Sequence, residues 1–120
     1  MFRLMTKTFA KWASKQQLLD EALKGALDEI EKGKYEASLG GNLYKKRVRF
    51  IGKGKRGSAR MIICYKKGDR AIFIHGFAKN EKSSLSKREL HALREFSKIL
   101  LGLTSEQIRI AIKNGDFIEV

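Results

Sequence analysis

Residues 40–78 read GGNLYKKRVRFIGKGKRGSARMIICYKKGDRAIFIHGFA, and the punctuation of this stretch sets the architecture. Gly40-Gly41-Asn42 is the strongest turn signal in the chain. Leu43 to Ile51 then alternates as a strand, the loop Gly52 to Gly57 follows, and Ser58 to Tyr65 is an apolar run bounded by turns. Lys67-Gly68-Asp69 is a short hairpin turn, and Arg70 to Phe77 carries the continuous apolar run Ala71 to Ile74. Residues 43 to 78 are therefore expected to form an antiparallel meander.

Outward from the meander the period changes to helical. Toward the N-terminus, Leu19, Ala22, Leu23, Ala26, Leu27 and Ile30 make an apolar stripe on a helix from about Gln16 to Glu31, with Gly33 as its stop. Phe9, Trp12 and Ala13 share a face within a shorter helix from Lys7 to Ser14, and Phe2 to Met5 suits a first strand. Toward the C-terminus, Ser86 with Glu89 fits a capping box, and Leu93, Phe96, Leu100 and Leu103 fall on one helical face. A last short helix spans Ser105 to Lys113, and Asp116 to Val120 suits a turn or edge strand. The expected class is α+β: a small antiparallel sheet, mixed at its edge, packed against N-terminal and C-terminal helices on one sheet face, in a single domain over residues 1–120.

The charge is concentrated where the sheet is expected. The 120 residues carry a net +13. Residues 42 to 82 hold 13 basic and 2 acidic side chains, a net of +11, while the segments on either side are each +1. A solubility surface would spread such charge; a block of this kind calls for a polyanion. The single cysteine, Cys64, leaves no intramolecular disulfide and suits a reducing cytoplasm. The lysines at 7, 11 and 15 interrupt any secretory run, and no segment approaches a membrane span.

Alternation places Lys45, Arg47 and Arg49 on one face of their strand, with Tyr44, Lys46 and Val48 on the other. Arg60 shares a face with Ile62 and Cys64, so it needs either a partner or a function. An internal salt bridge is the alternative, and acids are scarce nearby. Gly52-Lys53-Gly54-Lys55-Arg56-Gly57 formally matches G-x-G-x-x-G, but a strand follows where a dinucleotide site needs a helix. Its glycines suit close approach of backbone and of Lys53, Lys55 and Arg56 to phosphates. Lys79-Asn80-Glu81-Lys82 puts a lysine, an amide and a carboxylate beside the basic strands, a mix suited to holding a phosphate and moving a proton. His75 and His91 have no ligand spacing, so no metal or cofactor is expected.

The run GGNLYKKRVRFIGKGKRGSARMIICY, followed by AIFIHGFAKNEKSSLS and ELHALREFSKIL, resembles the RelE superfamily of bacterial toxins, and within it the HigB-like branch. The resemblance is good over roughly residues 36 to 103. It implies a RelE-like fold and a toxin neutralised by a cognate antitoxin encoded beside it, often a DNA-binding protein. It also implies metal-independent mRNA cleavage in the ribosomal A site, by attack of the ribose 2′-OH on the adjacent phosphate. Lys45 and Arg47 fall where relatives carry Lys-x-Lys, Arg60 matches the arginine before the apolar strand, and Lys79 or Asn80 falls at a further position, often arginine. These five are the candidate catalytic residues. Lys46, Arg49, Lys53, Lys55, Arg56, Glu81 and Lys82 are candidate RNA contacts. A tyrosine used by some relatives falls near Ser86, so the resemblance assigns no general acid. The alternatives are a non-catalytic RNA- or rRNA-binding module and, with no densely basic helix to enter a groove, less readily a DNA binder.

Overall fold

The computed structural model describes residues 1–49, 57–78 and 85–120. Its elements run β1 (Phe2–Thr6), α1 (Lys7–Lys15), α2 (Asp20–Glu31), β2 (Ala37–Gly40), β3 (Leu43–Arg49), β4 (Ser58–Lys66), β5 (Arg70–Ala78), α3 (Lys87–Gly102), α4 (Ser105–Lys113) and β6 (Phe117–Glu119). The six strands form one sheet in the order β2-β3-β4-β5-β1-β6. The class is α+β. The antiparallel meander β3-β4-β5 is present as expected, and β1 makes the edge mixed by pairing parallel to β5 and antiparallel to β6.

The helices lie on both faces of the sheet, not on one. Ile62, Cys64 and Ile72 pack with Leu100 of α3 and Ile108 of α4. The alternate residues Met61, Ile63, Ala71 and Phe73 pack with Phe9 of α1 and with Leu23, Leu27 and Ile30 of α2. Strands apolar at successive positions are buried on both sides, and β4 and β5 satisfy that condition. Each such Leu, Ile, Met or Phe side chain, fully removed from water, contributes about 1.5–3 kcal/mol.

Local signals account for the helix ends. The Thr6 side chain accepts from Phe9 N at 3.1 Å, so β1 passes directly into α1. Gln17, at φ 58, breaks the chain after α1, and α2 starts at Asp20 rather than near Gln16. Gly33, at φ 77, ends α2 as expected. Ser86 and Glu89 form the expected capping box, and Thr104 with Gln107 forms another on α4. The core-facing row of α3 departs from expectation: Phe96 is exposed and Ser97 is fully buried. Ser97 Oγ donates to Gly41 O at 2.7 Å, which seats the helix on the β2-β3 turn.

One irregularity sets which residues share a face. Ile62 pairs with His75, but Ile63 pairs with Phe73, so β5 carries an extra residue, a bulge, at Ile74. Beyond it, His75 and Phe77 fall on the face of Arg60 and Ile62. Gly76 faces α1, where the Trp12 ring lies against it.

Candidate functional site

The β3-β4 register sets the positions of the basic side chains. Arg47 stands opposite Arg60, Lys45 opposite Ile62, and Arg49 opposite Ser58, all on the face of α3 and α4. Lys45, Arg47 and Arg49 share a face as expected, Arg60 lies with Ile62 and Cys64 as expected, and the register joins the two sets on one face. Arg47 and Arg49 are exposed, Lys45 is half-buried, and Arg60 is only 9% exposed.

Two guanidinium groups converge on one hydroxyl. Ser58, 2% exposed, accepts from Arg60 Nη1 at 2.9 Å and from Arg47 Nε at 3.1 Å. Such proximity of like charges needs a counter-charge, and Glu36 supplies it. The Glu36 carboxylate accepts from Arg60 Nε, with Oε2 at 2.8 Å and Oε1 at 3.2 Å, and stands 3.8 Å from Lys45 Nζ. Glu36 was not anticipated from the sequence. It reaches the site because its N–H donates to Lys45 O at 2.8 Å, which extends the β2-β3 ribbon by one residue. With Nε on Glu36 and one Nη1 proton on Ser58, Arg60 is held at two corners, and the Nη2 edge of its donor fork makes no hydrogen bond to the described residues.

Lys46 is not brought to this site. It lies on the opposite face, with Nζ 3.3 Å from Glu29 of α2. Lys53, Lys55, Arg56, Lys79, Asn80, Glu81 and Lys82 lie outside the described residues. The described residues that flank them, Arg49, Gly57 and Ala78, stand at one end of the sheet, since Arg49 pairs with Ser58 and Ala59 pairs with Ala78. His75 and Phe77 are the β5 neighbours of Ile62 and Arg60 in the same cross-strand rows.

The other buried arginine serves the fold. Arg70 Nη1 donates to Leu100 O at 2.8 Å and Leu103 O at 2.7 Å, satisfying carbonyls at the end of α3. Burial pushes the Cys64 thiol above its ordinary range, and contact with Ser97 opposes this. Ser86, near which the resemblance puts the tyrosine of some relatives, is engaged in capping α3. Among the described residues there is no group of His, Cys, Asp and Glu arranged to hold a metal, and no helix long and apolar enough to cross a membrane.

A small α+β domain with a cation-lined strand face is the class that fold and site define. The sequence matches, over residues 2–120, the family model described as RelE toxin of the RelE/RelB toxin-antitoxin system. The chain belongs to that family and is a toxin of a toxin-antitoxin system, which implies a cognate antitoxin. A comparison with curated proteins gives no match.

Proposed function

We propose that this toxin is a ribosome-dependent mRNA endonuclease of the HigB-like branch, and that Arg47 and Arg60 hold the scissile phosphate. The observation that carries the reading is the convergence of both guanidinium groups on Ser58 Oγ. That arrangement costs repulsion in the free protein and is matched to a dianionic, trigonal-bipyramidal phosphate in the transition state. The ribose 2′-oxygen forms a bond to phosphorus as the bond to the 5′-oxygen breaks, leaving a 2′,3′-cyclic phosphate. The nonbridging oxygens gain charge in that step, and preorganised arginine donors stabilise them without reorganisation.

Lys45 carries protons in this reading. It borders the two arginines and has Glu36 as its ionic neighbour, so its ammonium gives a proton to the departing 5′-oxygen while the 2′-OH releases its own to solvent. Glu36 acts on the reaction through Arg60, by fixing the edge of the guanidinium that faces away from the phosphate. Arg49, Lys53, Lys55, Arg56 and Lys82 steer the message, while Lys79, Asn80 and Glu81 complete the site from the segment that follows β5. No metal takes part. The antitoxin covers the same cations with an acidic segment, in keeping with the +11 of residues 42 to 82.

The test is cleavage of a defined message on purified programmed ribosomes. Cuts at A-site codons, lost in Arg60→Ala, are the expected result. Intact message with toxin retained on the ribosome would instead make the protein a non-catalytic RNA-binding module.

A further inference from the structure

The chain has three tyrosines, Tyr35, Tyr44 and Tyr65, and all three line one cleft. The Tyr35 and Tyr44 rings are 4.7 Å apart, and those of Tyr44 and Tyr65 6.0 Å. The cleft holds about 470 Å³, and Lys32, Lys67, Asn42 and Glu31, the last paired with Arg3, are also in its lining. Tyr44 and Tyr65 cover the core beneath α2. Tyr35 does not belong to that core and is 42% exposed. Its ring packs on that of Tyr44 and lines the cleft with part of its surface open to solvent.

The position of the cleft connects it to the cation face. Tyr35 precedes Glu36 and Tyr44 precedes Lys45, so each pair of neighbours divides between the two sites. Ser38 pairs with Tyr44 and Ala37 with Lys45, which places the sites back to back on the β2-β3 ribbon. β2 is the edge of the sheet. From β3 to that edge is one strand spacing, about 4.8 Å.

We infer that this cleft is a stacking site for a nucleobase of single-stranded RNA, taken from the strand that passes over the β2 edge from the cation face. The inference rests on reading the cation face as an RNA-phosphate site. Aromatic faces interleaved with lysines bind single strands in this way: the rings take bases of any sequence and the ammonium groups take phosphates. A span on the order of four nucleotides, the short end of single-strand site sizes, covers both faces. An acidic polypeptide has the lysines to engage but gives no reason for three rings.

The probe is a fluorescent 2′-O-methyl hexa-adenylate, which presents no nucleophile and stays intact, and the readout is anisotropy with the full chain. Tyr35→Ala is expected to weaken binding roughly 5- to 100-fold while leaving the slope of affinity against salt unchanged, because no phosphate contact is removed. Tyr35→Phe and Tyr35→Trp should bind like the parent. Lys67→Gln should lower the slope by about one unit. With an abasic hexamer of equal charge, the Tyr35→Ala deficit should vanish. Parental affinity in Tyr35→Ala, or equal loss in Tyr35→Phe, overturns the inference, as does a Tyr35→Ala defect confined to antitoxin binding. Equal affinity of the parent and Arg60→Ala would instead strike the reading of the cation face. No binding by the parent would end both.

Discussion

The ring of Trp12, on α1, lies against the backbone of Gly76, on β5, so closely that a methyl group at Gly76 has no room. The contact depends on the bulge at Ile74, which turns position 76 toward α1. Gly76→Ala should therefore destabilise the fold by about 1–3 kcal/mol through overpacking, measured by urea denaturation. The double variant Gly76→Ala/Trp12→Leu should lose less than the sum of the two single changes, because both act on one contact.

Arg60 is expected to show the largest effect on activity. Arg60→Ala should lower cleavage on ribosomes about a hundred- to a thousandfold, the usual consequence of removing one preorganised donor to a developing oxyanion. Arg60→Lys should lose most activity too, since an ammonium cannot reach Glu36, Ser58 and a phosphate together. Parental cleavage in either variant would remove Arg60 from the site.

Adjacent lysines should behave differently. Lys45 faces the arginines and Lys46 faces Glu29 across the sheet. Lys45→Gln should reduce both RNA affinity and cleavage, while Lys46→Gln should leave both near the parent. Anisotropy with single-stranded RNA and single-turnover cleavage separate the two.

Glu36→Gln keeps the shape of the group that holds Arg60 and removes its charge. Cleavage should fall roughly 10- to 100-fold, the range for losing a hydrogen bond between charged groups, mainly in the single-turnover rate at saturation. Stability should fall by about 1–3 kcal/mol, because the nearly buried Arg60 loses its counter-charge while Gln still accepts its hydrogen bond. A large loss of stability with normal cleavage would make the pair purely structural.

Alkaline pH should weaken the fold through Cys64. Its thiol is raised by burial, so the folded chain keeps the proton at pH values where the unfolded chain, with an ordinary thiol near roughly 8.5, has released it. This contribution is intact below the unfolded value and is lost as pH rises through the folded one. Urea midpoints measured from pH 7 to pH 10 should fall more steeply for the parent than for Cys64→Ala.

The meander and its parity were legible in the sequence because β3 alternates and glycine-bearing turns bound β4 and β5. That parity already put Lys45, Arg47 and Arg49 on one face of β3 and Arg60 with Ile62 and Cys64 on one face of β4; the register that brings the two sets together came only with the structure. The two-sided packing was missed, although consecutive apolar residues such as Met61-Ile62-Ile63-Cys64 are the mark of a strand buried on both faces. Phe96 was misassigned because Ser97 takes the core position for a tertiary hydrogen bond to Gly41 that helical periodicity cannot encode. Glu36 was illegible for a similar reason. Residues 34 to 39 have no pattern of their own, and the carboxylate meets Arg60 across 24 positions of chain only after β2 has paired with β3.

The placement of β1 has a consequence for biosynthesis. β1 pairs with β5, some 68 residues later in the chain, and with β6, which ends at Glu119. Synthesis proceeds from the N-terminus, so Phe2–Thr6 waits without strand partners until β5 has been made, and its pairings are among the most distant in sequence that the fold makes. A nascent chain released before Phe117 keeps β1 as an open edge, with the N–H and C=O groups of Leu4 to Thr6 offered to any other strand. The three residues of β6 are what cover that edge of β1.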